Sequence, residues 1–126
     1  MAAMLEVKNL KKSYGSRQAV NDICFKVNEG DVFGLLGPNG AGKSTTMSMI
    51  CGLLKADSGQ IHVGGNNIRS NSQEAKKLIG IVPQEPALYT QLSARANLRF
   101  WGTINGLGGK ALNEAVDEVL AIVGLE

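Results

Sequence analysis

The chain has few of the residues that mark specialised proteins. Its 126 residues include two cysteines, three prolines, one histidine and six aromatics. Cys24 and Cys51 lie in a strand-like and a helix-like stretch with no C-x-x-C spacing, so they read as reduced core thiols and not as a disulfide framework or metal site. His62 has no neighbouring cluster of Cys or carboxylates, which removes the usual case for a metal ligand. No apolar run approaches the ~18 residues a bilayer span needs. The start, Met1-Ala2-Ala3-Met4-Leu5-Glu6, lacks the charged and apolar regions of a secretory signal. Neither sign of charge dominates: 13 Lys and Arg oppose 11 Asp and Glu, and only Lys11-Lys12 and Lys76-Lys77 are adjacent basic pairs. No basic stripe for nucleic acid follows from that. Repeats and low-complexity tracts are also missing. The expectation is one cytoplasmic globular domain, with any membrane association made through a partner.

Glycine is plentiful, with 16 residues, and its placement is informative. Residues 37 to 45 read Gly37-Pro38-Asn39-Gly40-Ala41-Gly42-Lys43-Ser44-Thr45, directly after the apolar run Val32-Phe33-Gly34-Leu35-Leu36. This is the G-x-x-x-x-G-K-[ST] pattern between a buried-type strand and a helix start. Glycines let the backbone curl so that successive N–H groups converge on phosphate oxygens, and the following helix points its positive dipole end at the same place. Lys43 can then reach the β- and γ-phosphates, and the Ser44 hydroxyl can ligate Mg²⁺. The pattern names the ligand class as a nucleoside triphosphate.

Around the loop, period-2 alternation predicts half-buried strands over Leu5–Leu10 and Ile23–Val27, with turns at Gly15-Ser16-Arg17 and Asn28–Asp31. Val32–Leu36 and Leu78–Val82 are continuous apolar runs, as expected of parallel strands covered on both faces. A helix is expected from about Lys43 to Leu54, a strand and return over Gln60–Ile68, and a short helix over Ser72–Lys77. Two amphipathic helices finish the chain. One is capped by Ser93 and carries Leu98, Trp101 and Ile104; the other carries Leu112, Val116, Val119, Leu120 and Val123.

Three further segments extend the motif. Tyr14 in Lys12-Ser13-Tyr14-Gly15, the loop at 37–45, Gly52-Leu53-Leu54-Lys55-Ala56-Asp57-Ser58-Gly59 and Gly80-Ile81-Val82-Pro83-Gln84 resemble ATP-binding-cassette (ABC) proteins in order and spacing. The resemblance covers essentially the whole chain. It implies an α/β fold: a P-loop NTPase (RecA-like) core with an N-terminal antiparallel β subdomain over 1–90, and the start of a helical subdomain over 91–126. It implies ATP and Mg²⁺ as ligands. Tyr14 matches the aromatic that stacks on adenine; Val20, Gly37, Pro38, Asn39, Gly40, Ala41, Gly42, Lys43, Ser44 and Thr45 complete the nucleotide-contacting set. Gln84 matches the glutamine that ligates Mg²⁺ with Ser44, lies near the attacking water and, with Lys43, serves the reaction. The segment Glu85–Phe100 matches the surface that receives a transmembrane permease subunit, and a second cassette is the expected dimer partner. No nucleic-acid partner is expected.

The resemblance implies coupling of ATP binding and hydrolysis to transport from the cytoplasmic face of a membrane. Leu92–Gly102 looks most like cassettes that drive exporters. Two other readings stay open on these residues: a soluble ABC ATPase of DNA repair or the ribosome, and a non-catalytic module that pairs with a complete cassette. A GTPase is disfavoured, since no N-K-x-D segment is present. The signature motif, the acidic Mg²⁺ strand with its catalytic glutamate and the switch histidine are not among these residues. Asp57 and Glu85 are too weakly placed to replace that glutamate. The 126 residues alone are therefore expected to bind ATP weakly, not to turn it over, and to associate through uncovered apolar runs.

Overall fold

A computed structural model describes residues 3–37 and 42–125. The chain divides into two compact units, one ending at Ile81 and the other beginning at Val82. The first unit is built on an antiparallel sheet. Strands β1 (Ala3–Tyr14), β2 (Arg17–Asn28), β3 (Ser58–Val63) and β4 (Asn66–Asn67) lie in the order β2-β1-β3-β4. Helices α1 (Lys43–Ile50) and α2 (Ser72–Lys76) complete it.

Both long strands carry an irregularity that period-2 reading does not anticipate. Buried Val7 and Leu10 are three residues apart, as are buried Val20 and half-buried Ile23. On a regular strand such pairs would point to opposite faces. Asn9 (φ 48°) and Asp22 (φ 55°) take the left-handed conformation between them, and the β1–β2 register shifts there, so all four side chains reach the core side. Asn and Asp are the non-glycine residues that tolerate this region best. The two are tied together: Asn9 Nδ2 donates to Asp22 Oδ1 at 2.9 Å, and the Asn9 N–H donates to Cys24 Sγ at 3.1 Å. Cys24 is exposed, against its expected core position, and Cys51 is partly buried just past α1.

The first core joins Val7, Leu10, Val20, Ile61 and Val63 of the sheet to Met49 and Ile50 of α1 and Ala75 of α2. Thr46, Met49 and Ile50 recur at helical spacing, which fixes the face α1 presents to the sheet. The helix stops at Ile50, short of the expected Leu54.

The apolar runs Val32–Leu36 and Leu78–Val82, expected as buried parallel strands, form no strand, and none of their residues is fully buried, although Ile79 packs against the first core. Val32, Leu36 and Val82 are almost fully exposed (102%, 93% and 98%). A parallel strand draws its hydrogen bonds from neighbours on both sides. Among the described residues the sheet is antiparallel and pairs with neither run. Phe33 instead stacks on Phe25, centroids 5.0 Å apart and planes 11° from parallel.

The second unit contains α3 (Ala94–Ile104) and α4 (Gly109–Val123). Ser93 caps α3 as expected, its Oγ accepting the Ala96 N–H at 3.1 Å. Leu112, Val116 and Leu120 form the buried stripe of α4, with Leu98 against it. Trp101, Ile104, Val119 and Val123 belong to the expected stripes but are 39% to 59% exposed. Their helical spacing is right; the described residues supply no surface that covers them.

One buried polar side chain organises the entry to α3. Asn97 is 7% exposed. Its Nδ2 donates to the carbonyls of Tyr89 (3.0 Å), Leu92 (3.3 Å) and Ser93 (2.9 Å), and its Oδ1 accepts the Tyr89 N–H (2.8 Å). The segment 89–93 is thereby sewn onto the helix. Asn97→Asp replaces the donor with a carboxylate facing three carbonyls. This variant is expected to destabilise the unit by roughly 2–4 kcal/mol. Amide hydrogen exchange at Tyr89 will accelerate accordingly; unchanged protection there would count against this role.

Candidate nucleotide-binding site

The site begins at a hairpin tip. β1 and β2 are joined across Gly15-Ser16, with Tyr14 opposite Arg17 as the last pair and Lys12 opposite Val20. Gly15 takes φ 61°, which a two-residue hairpin turn of this kind requires. Tyr14 is half exposed at 50% and carries the Lys12 ammonium 5.5 Å from its ring centroid. Val20 differs in kind from the other expected contacts: its side chain is 1% exposed and packs in the core.

Ala19 and Val20 support the phosphate-loop end. Gly42 sits immediately before α1 with φ 89°, and a Cβ there would lie 2.2 Å from the Ala19 carbonyl oxygen and 3.3 Å from Val20 Cγ2. Only glycine fits, because the opposing atoms include backbone that cannot swing aside. Lys43 donates from Nζ to the Gly37 carbonyl, joining the two described ends of the loop. Pro38, Asn39, Gly40 and Ala41, the remainder of the expected nucleotide-contacting loop, lie outside the described residues.

The start of α1 suits an anion. No side chain caps it, and its first turn carries no acidic residue. The Gly42 carbonyl accepts the Thr46 N–H at 2.8 Å, which closes the first turn. The preceding helix N–H groups belong to the set that a helix cannot satisfy internally. Ser44 is exposed, and Lys43 and Thr45 are partly exposed beside it. The first-turn N–H groups, the Lys43 ammonium and the exposed Ser44 are the groups here that could hold a phosphate anion at a helix start.

Gln84 lies in an exposed bend of the second unit. The segment after it carries Tyr89 and Phe100 edge to face at 5.0 Å, and Phe100 and Trp101 in the same manner at 5.3 Å. Among the described residues no group of three or more His, Cys, Asp or Glu could hold a metal ion. No described helix is long and apolar enough to cross a membrane. A cavity of about 690 Å³ lies between the end of α1, β3 and α2, lined by residues such as Met49, Ile61, Arg69 and Lys76. None of the described phosphate-loop residues lines it.

Sequence reasoning passed over one residue beside the hairpin. Asp57 is weighed there, beyond its place in a family segment, as a stand-in for the general base, a role its surroundings do not favour. Its carboxyl is held below the ordinary range, chiefly by the Ser13 N–H and then by the Lys12 ammonium. An aspartate so occupied is a poor proton acceptor.

A family model described as ABC transporter matches residues 20–126. The chain is 53% identical over 122 residues to the linearmycin resistance ATP-binding protein LnrL of Bacillus subtilis (strain 168), covering 97% of this chain and 39% of that protein. It is 42% identical over 126 residues to the bacitracin transport ATP-binding protein BcrA of Bacillus licheniformis, covering 100% of this chain and 40% of that one. It thus spans about two fifths of the length of these curated relatives. Among solved structures, cbiO1 from Clostridium perfringens, described as part of the ABC transporter complex cbiONQ, superposes with a TM-score of 0.86 at 30% identity, over 100% of this chain and 52% of that one. A second, described as the ATP binding subunit of an ABC transporter, gives 0.73 at 33% identity over 83% of this chain and 44% of that one. With the family model matching most of its length and solved ABC subunits superposing on it, the chain belongs to the ABC transporter family and is a partial P-loop ABC cassette.

Proposed function

We propose that these residues are the ATP-gripping part of an export-type ABC transporter subunit. The observation that carries the reading is the open start of α1, where Lys43 reaches back to Gly37 and Gly42 is seated on Ala19 and Val20. ATP-binding domains of this family are generally ATPases, and relatives bear names of linearmycin resistance, bacitracin transport and Nod factor export. Those names favour a transporter over a soluble ATPase.

Within the site, the first-turn N–H groups of α1 and Lys43 hold the triphosphate, and Gly37 to Thr45 wrap it. Tyr14 offers its exposed ring to the adenine. Val20 contributes from behind, as the packing against which Gly42 rests. Ser44 and Gln84 are the residues that would hold Mg²⁺, which when bound offsets charge on the triphosphate oxygens. The part assigned to Gln84 rests on its motif position. The segment Glu85–Phe100 is the proposed docking surface for the membrane subunit, and a second cassette the proposed dimer partner. Association with the cytoplasmic face of the membrane then runs through that subunit.

The first turn of α1 carries no acidic residue. Calorimetry is expected to find saturable MgATP binding in the range of about 0.1–1 mM, without turnover. Phosphate release should not exceed that of a Lys43→Ala control. Steady-state release above that control would overturn the non-catalytic part of the reading, and absence of saturable binding would overturn the whole.

A further inference from the structure

β1 outruns its partner β3. The last β1–β3 pair is Lys11 with Ser58, whereas Ser13 and Tyr14 pair only with Gln18 and Arg17 of β2. A bare two-stranded tip is marginally ordered in water, yet this tip carries the ring offered to the base. On the open side of β1 stands Asp57, immediately before β3. Its N–H donates to the Lys11 carbonyl at 2.9 Å, which continues the ladder by one bond. Its carboxylate then accepts the Ser13 N–H at 2.7 Å and the Lys12 ammonium at 3.4 Å. The side chain thus takes the place of the strand residue that β3 does not provide, and both of its bonds are charge-assisted.

Lys12 links this clamp to the ring. Its side chain is 15% exposed, little for a lysine, and its ammonium lies between Asp57 Oδ1 and the face of Tyr14. A cation held over one face of an aromatic ring is attracted by the ring quadrupole. With that face occupied, the opposite one is left for a planar base. Without Asp57, the Ser13 N–H has only water as partner and Lys12 is free to leave the ring. Ring and backbone would then have to be ordered at the moment of binding, and affinity would fall by that cost.

We propose that Asp57 is a positioning residue for base recognition, holding Ser13 and Lys12 so that the Tyr14 ring is presented to adenine in one orientation. The proposal rests on the reading of Tyr14 as the adenine platform. It concerns the base alone; the triphosphate is held at the start of α1 by other groups. Inorganic tripolyphosphate therefore separates positioning from general damage, since it needs the phosphate loop but no ring.

The test is calorimetric titration of the chain with MgATP and with magnesium tripolyphosphate, for the unmodified protein and for Tyr14→Ala, Asp57→Ala, Asp57→Asn and Lys12→Met. Tyr14→Ala is expected to weaken MgATP binding about 10-fold, by loss of one stacking contact, and to leave tripolyphosphate within about twofold. Asp57→Ala is expected to weaken MgATP binding about 3- to 5-fold with tripolyphosphate again within about twofold. Asp57→Asn keeps an oxygen for the Ser13 N–H but loses its charge, and Lys12→Met removes the cation; both should fall between. If Asp57→Ala weakens both ligands equally, the residue is merely structural and the proposal is overturned. If Tyr14→Ala weakens MgATP and the Asp57 variants do not, the proposal fails while the platform reading stands. If Tyr14→Ala changes nothing, or the unmodified chain binds no MgATP, the platform reading fails and takes the proposal with it.

Discussion

Replacing Lys43 with alanine is expected to weaken MgATP binding by about 30- to 150-fold, equivalent to about 2–3 kcal/mol of charge-assisted hydrogen bonding. Two effects add. The ammonium is the one cation carried by the first turn of α1, so its loss removes the strongest attraction to the triphosphate. It also ties the start of α1 to the Gly37 carbonyl, and without that bond the loop must be ordered when the ligand arrives. Lys43→Arg should recover little, because a planar fork does not reproduce a compact ammonium on a flexible stem. Thermal melting of both variants should match the parent, since Lys43 lies outside the buried core. A loss of under threefold in calorimetry would remove Lys43 from the binding role.

A glycine supplies the largest expected effect on stability. Gly59, in β3, has φ 94°, and a Cβ there would lie 2.4 Å from the Asn9 carbonyl oxygen and 2.7 Å from both Asn9 C and Leu10 Cα. These are backbone atoms of the central strand, next to the fully buried Leu10. Neither strand can yield without shifting Leu10 or breaking the left-handed turn at Asn9. Gly59→Ala is expected to cost more than about 3 kcal/mol, adding overpacking to the strain of a left-handed alanine. Against a typical domain stability of about 5–15 kcal/mol, that is a large share. Gly65→Ala isolates the backbone term: its φ is 81°, with no atom within 4 Å of the added carbon, so it should cost only about 1 kcal/mol. Equal midpoint shifts for the two variants in urea would show that the β1–β3 contact is not the cause.

Gly59 stands in the Asp57-Ser58-Gly59 segment, which the sequence reading uses only as a family mark. The structure gives the three residues physical work. Gly59 admits the close approach of β3 to β1, Ser58 makes the last ladder pair with Lys11, and Asp57 holds the hairpin tip beyond it. None of this could be read from spacing. It depends on a crossing between residues more than forty positions apart in the chain.

What could be read were features whose cause is local. The Ser93 cap, the hairpin turn at Gly15 and the helical stripe Leu112, Val116 and Leu120 each depend on residues within a few positions of one another. The paired bulges at Asn9 and Asp22 escaped because Asn9 looks like an ordinary polar position on an alternating strand and Asp22 lies just before the expected strand Ile23–Val27. Their meaning appears only when the two strands are side by side and the two side chains bond. The apolar runs Val32–Leu36 and Leu78–Val82 failed for the opposite reason. Their composition suits buried parallel strands, but a strand is defined by its neighbours, and no described strand pairs with them.

The sequence by itself determined the family and the antiparallel hairpin, because glycine spacing, a lysine and short-range alternation act over a few residues. The tertiary structure alone decided that Val20 belongs to the core behind the loop, that Asn97 ties residues 89–93 to α3, and that Asp57 reaches across to Ser13 and Lys12. Those outcomes depend on which backbone groups are left without partners once distant strands and helices have met. That is a property of the packed chain and not of any segment within it.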